Sequence, residues 1–556
     1  MPRHWSSPAC AAVLTFTASV ALYAAVAASL PFYDKGEPRE ALVVEAMLRG
    51  DGMILPRPDG RHVPSKPPLF HWLAALAATN IGRTSELAMR LPSVVFGALG
   101  VALTMVVCAR WYGAAAGLVA AIVLASSFEW MRAATQSRVD MTLTFFVVAA
   151  TLAWQRGVVE PERRWTIRAG WLAAAAAVLT KGPVGVVLPA LVVGADALRR
   201  REPRALVPLA DVAGTTVALV ACLGWYGLAW MDGGAEFASR HLVQENVQRF
   251  VGWGAVAHRH PALYYVPALA GGFLPWTLAL PLVVRDAWSR RRREDGFLVV
   301  WIVAVLAFYS LAAGKRSTYL LPIFPPLAML TGTALVASAD RAPAAWARTG
   351  LVAASVVLLG VALAVGMDRT APLVAQLGGL VRGTDQARMP AALAAVHAQR
   401  WMIATTLGIA AATLLGVASP GGTRAWRLAA VTTAALVATV GLTTLGTYPV
   451  ARSLTTRPFA TRVLTHLRPG DRLCACGDLD GGLRFYLGRP IPRCNDLDPA
   501  TAAPTRASAI HAPATGLAGA RRHYRVTPVH QSDVALGRSC ASHGHTTVAS
   551  RSEETT

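Results

Sequence analysis

Residues 32–68 read FYDKGEPREALVVEAMLRGDGMILPRPDGRHVPSKPP. Asp34, Glu37, Arg39, Glu40 and Lys66 crowd there with the paired prolines Pro67 and Pro68, between two strongly apolar segments. The run before them, Ala9 to Pro31, is about the twenty residues that cross a bilayer core. It follows Arg3 and His4 and leads into the polar motif, which predicts a retained anchor and not a cleaved leader. Charge placed where a chain leaves a membrane needs a chemical reason, because ions are expensive to take out of water.

Outward from this stretch the chain remains apolar. Of its 556 residues 54% are hydrophobic and 15% charged, the mean hydropathy is +0.42, and apolar runs recur nearly to Tyr448. A soluble fold has no use for so many. Counting runs that reach across about 30 Å of hydrocarbon predicts about thirteen spans. The expected fold is an all-α polytopic membrane domain over 1–448, with an outside loop at 32–87, followed by a small α/β extracytoplasmic domain over 449–556.

The net charge of +22 does not point to nucleic acid, because the arginines sit in alternate short loops and not on one solvated domain. Arg156, Arg163, Arg164 and Arg168 share one loop, Arg199, Arg200, Arg201 and Arg204 another, and Arg290 to Arg293 a third, with Arg341, Arg348, Arg424 and Arg427 later. With a cytoplasmic amino terminus all of them fall inside, as the positive-inside rule expects. The 32–87 loop, the Glu129 to Asp140 turn, the 231–261 loop, Gly314 to Tyr319 and everything after Tyr448 then face outside.

After Tyr448 the apolar runs give way to Arg, Asp, Gly and Pro. Pro458 to Leu467 reads as a short helix, Arg472 to Cys476 and Leu483 to Leu487 as strands, and Gly477 to Gly482 as a turn. Cys474, Cys476, Cys494 and Cys540 lie there, on a side that is oxidising in a bacterium. A disulfide from Cys474 or Cys476 to Cys494 or Cys540 is expected rather than one between the first two, which share one strand; zinc is the rival, though a Cys-x-Cys pair without a matching second pair is a weak metal signal. Cys10, Cys108 and Cys222 sit in apolar spans as packing residues.

Asp34, Glu37 and Glu40 are spaced three apart, and Leu42, Val43, Ala46 and Met47 have helical spacing, so a helix over Glu37 to Arg49 gathers the carboxylates at its start. There they serve chemistry or complement the helix dipole. Lys66, fixed before two prolines at a bilayer surface, suits an anionic phosphate headgroup or snorkels to water.

The order of these motifs resembles the bacterial membrane glycosyltransferases related to aminoarabinose transferase and protein O-mannosyltransferase, whose fold is called GT-C. Its landmarks are DKGEPRE (34–40), SKPPLFHW (65–72), RLPS (90–93), SRVDM (137–141), LTKGPVG (179–185), ENVQRF (245–250), an HRHP segment (258–261) and GKRSTYLLP (314–322). The likeness runs from about Tyr33 to Pro322. It implies that a sugar passes from a polyprenyl-phosphate carrier such as undecaprenyl phosphate to an acceptor on the periplasmic face of the bacterial inner membrane, with no nucleotide needed. No Walker-type phosphate loop is present. Lipid A, an envelope glycan and an exported protein are the acceptors it admits, with membrane lipids as surroundings.

By the same resemblance Asp34 is a catalytic aspartate and Asp140 a second, with Glu37 beside them. Lys66 contacts the carrier phosphate, and Arg249, Arg259 and Lys315 are candidates to share that load or to anchor at the interface. Tyr319 matches a tyrosine near the active site, although an aromatic belt also accounts for it; Glu40 is a second candidate for positioning substrate. Relatives can hold a divalent metal with a histidine of the HRHP segment and an acidic residue just before the lysine. Here His258 and His260 are present, but Ser65 stands at the acidic position, which leaves Glu37 or Glu40 as substitutes. Arg90, Pro92 and the Lys181 to Pro183 hairpin have sufficient structural roles, while Lys181 also has the option of facing the cavity. The alternative functions are a transporter or flippase for lipid-linked sugar, which calls for membrane-buried ionisable residues or paired broken helices, and a noncatalytic assembly subunit, which would be marked by loss of Asp34 or Lys66.

Overall fold

The computed structural model describes residues 8–58, 63–248, 260–290, 292–339, 345–369, 394, 397–418, 423–467, 472–476, 479–489, 491–492, 507–511 and 525–529. The chain opens with α1 (Pro8–Ser29), an uncharged helix whose exit is followed by α2 (Gly36–Leu48) and α3 (Leu69–Ile81). Next come α4 (Glu86–Tyr112), the bent pair α5 (Ala114–Ala125) and α6 (Phe128–Ala134), then α7 (Val139–Val159), α8 (Arg164–Lys181), α9 (Val184–Arg200) and α10 (Val212–Phe237). The helices α11 (Tyr265–Gly272), α12 (Leu280–Arg290), α13 (Arg293–Leu311), α14 (Phe324–Ala339), α15 (Ala345–Gly366), α16 (Arg400–Ala418) and α17 (Arg424–Gly441) continue the bundle.

Among the described residues nine helices are long and apolar enough to cross a membrane, and up to eleven if each of two bent pairs is one span. The bends are 68° between α5 and α6 and 105° between α11 and the Trp276–Arg290 segment. The α8 and α9 hairpin helices, of 18 and 17 residues, each carry three charged residues and are not among these candidates.

The core lies between α1, α4, α5, α13 and α14, where Tyr23, Trp130, Phe297, Trp301 and Phe324 are buried. Helix α4 starts at Ser85, whose hydroxyl accepts the Ala88 N–H at 3.2 Å, satisfying a donor that the helix itself cannot. Gly100 lets α4 approach the α6 indole: a Cβ there would lie 2.6 Å from Trp130. The arginine-rich ends of these helices are braced by acids. Arg110, Arg156 and Arg163 share Glu160, Arg199 and Arg200 pair with Asp196, and Arg290 pairs with Asp286 and Asp295.

The last apolar helix runs through a π-helical segment into α18 (Tyr448–Leu454), so helix continues past Tyr448. The polar segment beyond it contains α19 (Arg457–His466), β1 (Arg472–Cys476), α20 (Gly481–Leu487), β2 (Ala507–His511) and β3 (Arg525–Val529). Strand β1 pairs parallel with β2, and β2 antiparallel with β3. Ala460, Val463, Leu473, Leu483 and Leu487 form a small core between α19, α20 and β1.

The strand expected at Leu483–Leu487 is instead helix α20. The alternation of Leu483, Phe485 and Leu487 suggests a strand, but Asp480 accepts the Gly482 N–H at 2.9 Å, and Gly488 closes the turn at φ 64°. These end signals prevail over a short apolar alternation. Cys474 is buried and disulfide-bonded, while the side chains of Cys476, Cys494 and Cys540 lie outside the described residues.

Candidate active site

The chain leaves α1 at Leu30 and turns into α2 within a few residues. Asp34 organises that turn: its Oδ1 accepts the Gly36 N–H at 2.7 Å and the Glu37 N–H at 2.9 Å, as a capping carboxylate does. Its Oδ2 accepts Arg138 Nη2 at 2.7 Å. Arg138 stands just before α7, at the end of the α6–α7 turn. The guanidinium crosses so close to Gly36 that a Cβ there would lie 2.2 Å from Nη2, which accounts for the glycine in DKGEPRE. Burial pushes the Asp34 carboxyl up, but the charge and hydrogen bond of Arg138 and the two backbone N–H groups outweigh it and hold the group below 3.8.

Glu37 is fully buried. Arg90 donates to it through Nε at 2.7 Å and Nη2 at 2.9 Å, and the Ser137 N–H donates at 2.8 Å. Arg90 also donates through Nη1 to the carbonyls of Ala27, at 2.7 Å, and Leu30. It thereby satisfies acceptors left over at the end of α1 and fastens α1, α2, α4 and the α6–α7 turn to one ion pair. Glu40 is likewise enclosed. His71 Nε2–H donates to Oε2 at 2.9 Å, and Arg39 Nη2 donates to Oε1 at 2.6 Å. Burial would raise the Glu40 carboxyl, but the Arg39 charge and the bond and charge of His71 hold it well below the usual range.

A small, partly open cavity lies beside these pairs. Arg39, Lys66, Arg138, Lys181 and Arg316 line it with the carboxylates Glu40 and Asp140 and the ring of Tyr319. Lys66 is 9% exposed. Lys181 forms an ion pair with Asp140, and its Nζ lies 4.6 Å from the Tyr319 ring centroid. Tyr319 is stacked on Tyr309 at 4.9 Å. Five bases and two acids line it, and a further acid, Asp34, pairs with one of the five, Arg138. A second cavity shares no lining residue with the first and is bounded by Tyr33, Glu37, Arg132, Gln136, Thr443 and Thr447 among others.

Of the residues singled out in the sequence, Lys66, Asp140, Glu40 and Tyr319 line the first cavity, and Asp34 is joined to it through Arg138. Lys181 lines it as well, so the hairpin lysine has more than a structural place. Lys315 turns its Nζ to the Ala312 carbonyl at 2.6 Å, and it is the neighbouring Arg316 that reaches the cavity. Arg249, His258 and Arg259 lie outside the described residues. His260 is exposed and stacks on Tyr264 at 4.2 Å. Among the described residues no group of three or more His, Cys, Asp or Glu is placed to hold a metal ion. Glu37 and Glu40 are already engaged by Arg90 and by His71 and Arg39, so these residues do not fit a metal centre.

A helical bundle of this kind, with long apolar helices and paired acids and bases where its first span ends, defines a polytopic membrane protein. Residues 65–226 match the family described as dolichyl-phosphate-mannose-protein mannosyltransferase. The undecaprenyl phosphate-alpha-4-amino-4-deoxy-L-arabinose arabinosyl transferase of Pseudomonas paraeruginosa is 34% identical over 307 residues, 54% of this chain and 55% of that protein. Its counterpart in Pectobacterium carotovorum is 32% identical over 304 residues, 53% of each. The match thus spans about half the length of these curated relatives. The crystal structure of ArnT from Cupriavidus metallidurans bound to undecaprenyl phosphate has the same fold, with a TM-score of 0.73 at 24% identity, covering 93% of this chain and 97% of that one. Over part of its length the chain is thus similar to the aminoarabinose and protein mannosyl transferases, and it shares the fold of ArnT.

Proposed function

We propose that the protein is an integral membrane glycosyltransferase that moves a sugar from a polyprenyl-phosphate carrier to an acceptor at the periplasmic face of the bacterial inner membrane. The observation that carries this reading is the cationic cavity beside Asp34 and Asp140, where a span meets the surface. A carrier phosphodiester has one negative charge, and the monophosphate released from it has up to about two. A lining richer in bases than in acids therefore favours the leaving phosphate over the bound donor, which is the differential stabilisation that speeds a reaction. Lys66 is assigned to the carrier phosphate, with Lys181, Arg316 and Arg39 sharing the load.

Asp34 is assigned to the reacting centre. Held ionised by Arg138 and two N–H groups, it is a weak base, better suited to stabilising positive charge at the anomeric carbon and orienting the acceptor than to removing a tightly held proton. This favours an acceptor that is already anionic, such as a lipid A phosphate, over a glycan or protein hydroxyl. Asp140 holds Lys181 toward the cavity, Glu37 fixes the frame with Arg90, and Glu40 orients Arg39.

The orientation, with the site outside and residues 449–556 as a periplasmic domain, is supported by the charge pattern. Helices α7, α8 and α9 carry Asp140, Lys181 and the Gly182–Pro183 turn at one end and Arg156, Arg164 and Arg200 at the other, as the positive-inside rule expects. The two bent helix pairs are also a feature expected of a transporter for lipid-linked sugar, and it is the carboxylate and cation cluster gathered at a single end that favours transfer over transport. Mass spectrometry of envelope lipids, glycans and exported proteins with and without the gene tests the proposal. A sugar-sized mass present only with the gene, on lipid A phosphate, supports it; envelopes that match in all three fractions contradict it.

A further inference from the structure

The polar segment after the last span returns to the Asp34 loop. In α20 the Phe485 ring lies 4.9 Å from the ring of Phe32, and the Tyr486 ring 6.3 Å from it. The Tyr486 oxygen accepts the Phe32 N–H at 2.7 Å, and its hydroxyl donates to Glu86 Oε1 at 3.1 Å. The same Glu86 oxygen accepts Arg457 Nη1 from α19 at 3.3 Å. Glycines bring α20 close to α2: a Cβ on Gly481 would lie 3.4 Å from Pro38 Cβ, and one on Gly482 3.7 Å from Pro38 Cγ.

Phe32 belongs to the short non-helical connection between α1 and α2, where no helix ladder satisfies its N–H and another partner must be found. Tyr486 supplies that partner from 454 residues away in sequence. Asp34 departs from the chain two residues later, so the backbone position from which its carboxylate is aimed is set on one side by Arg138 and on the other by Tyr486. We infer that Tyr486 is a positioning residue for Asp34, through which the carboxyl-terminal segment holds the catalytic loop in register with the cationic cavity. This rests on the transfer reaction proposed above.

The test is Tyr486→Phe in the full-length protein reconstituted with lipid. This variant keeps the ring against Phe32 and Phe485 but removes the hydroxyl and its hydrogen bonds to Phe32, Glu86 and Thr455. Turnover should fall about tenfold, the scale of losing a hydrogen bond that serves geometry, while donor KM stays within about twofold because Lys66 is untouched. Hydrogen exchange read on the same samples should be faster at the Phe32 to Glu37 amides and unchanged in α7. A merely structural role would lower the amount of folded protein and leave the turnover per folded molecule intact. Wild-type exchange at Phe32 to Glu37, or wild-type turnover, overturns the inference. If the unsubstituted protein transfers no sugar, the reaction assigned above fails, and the exchange comparison still decides whether Tyr486 orders the Asp34 loop.

Discussion

Arg138 Nη2 and Asp34 Oδ2 stand 2.7 Å apart, joining residues 104 positions apart in sequence. The contact ties the exit of the first span to the start of α7, whose next residue but one after Arg138 is Asp140. Two carboxylates, one in the turn before α2 and one in the first turn of α7, are thereby indexed to one guanidinium.

Replacing Asp34 by Asn should reduce turnover about a hundredfold or more, the usual loss of one transition-state interaction, with donor affinity little changed. The substitution keeps size and removes charge, so near-normal single-turnover transfer would remove Asp34 from the chemistry.

Lys66→Ala and Lys181→Ala should separate in binding. Lys66 is expected to weaken donor binding and slow departure of the phosphate together, because the same charge meets phosphate in the ground state and more strongly as the bond breaks. Lys181 is paired with Asp140, so its loss frees a carboxylate in the cavity and should lower turnover beyond the donor effect. Equilibrium binding of the lipid-linked donor to each variant provides the comparison.

The pH profile follows from the same ion pair. With its folded pKa held below 3.8, Asp34 stays ionised near neutrality, and no acid limb from this group should appear above about pH 5. A depressed carboxyl contributes stability that is present above its unfolded value and is lost as pH falls through the folded one. Arg138→Gln removes the charge that offsets burial, so the folded value rises and an acid limb should enter the profile at higher pH. An identical profile in the variant would mean that Arg138 does not govern Asp34.

Arg90→Leu should leave Glu37 buried and unpaired at 0% exposure, a change that costs on the order of 3–5 kcal/mol. Low recovery of folded protein and a lowered melting temperature in detergent are expected, in contrast to Lys66→Ala, which should fold normally.

Much of the lining of the candidate site was legible in residue order. Asp34, Lys66, Asp140 and Tyr319 stand in colinear motifs, and the cavity brings most of them together while Asp34 joins it through Arg138. The partners were not legible, because Arg138, Arg316 and Lys181 are bases at helix ends, where interfacial anchoring is an equal explanation. Their roles depend on which acid or ring lies opposite, and pairs such as Asp140 with Lys181 are 41 residues apart. Lys315 and Arg316 show the same limit at finer scale: neighbours in one loop, one turned to a backbone carbonyl and one to the cavity. In the polar segment, Leu483, Phe485 and Leu487 alternate as a strand would, and it is Asp480 and Gly488 at the ends that mark a helix.

The most direct test of a cationic cavity serving a lipid-phosphate donor is transfer by purified protein in liposomes, with a polyprenyl-phosphate sugar and a nucleotide sugar offered separately. Transfer from the lipid-linked donor alone, lost in Asp34→Asn, is the predicted result. Transfer from the nucleotide sugar with no lipid carrier present would contradict it.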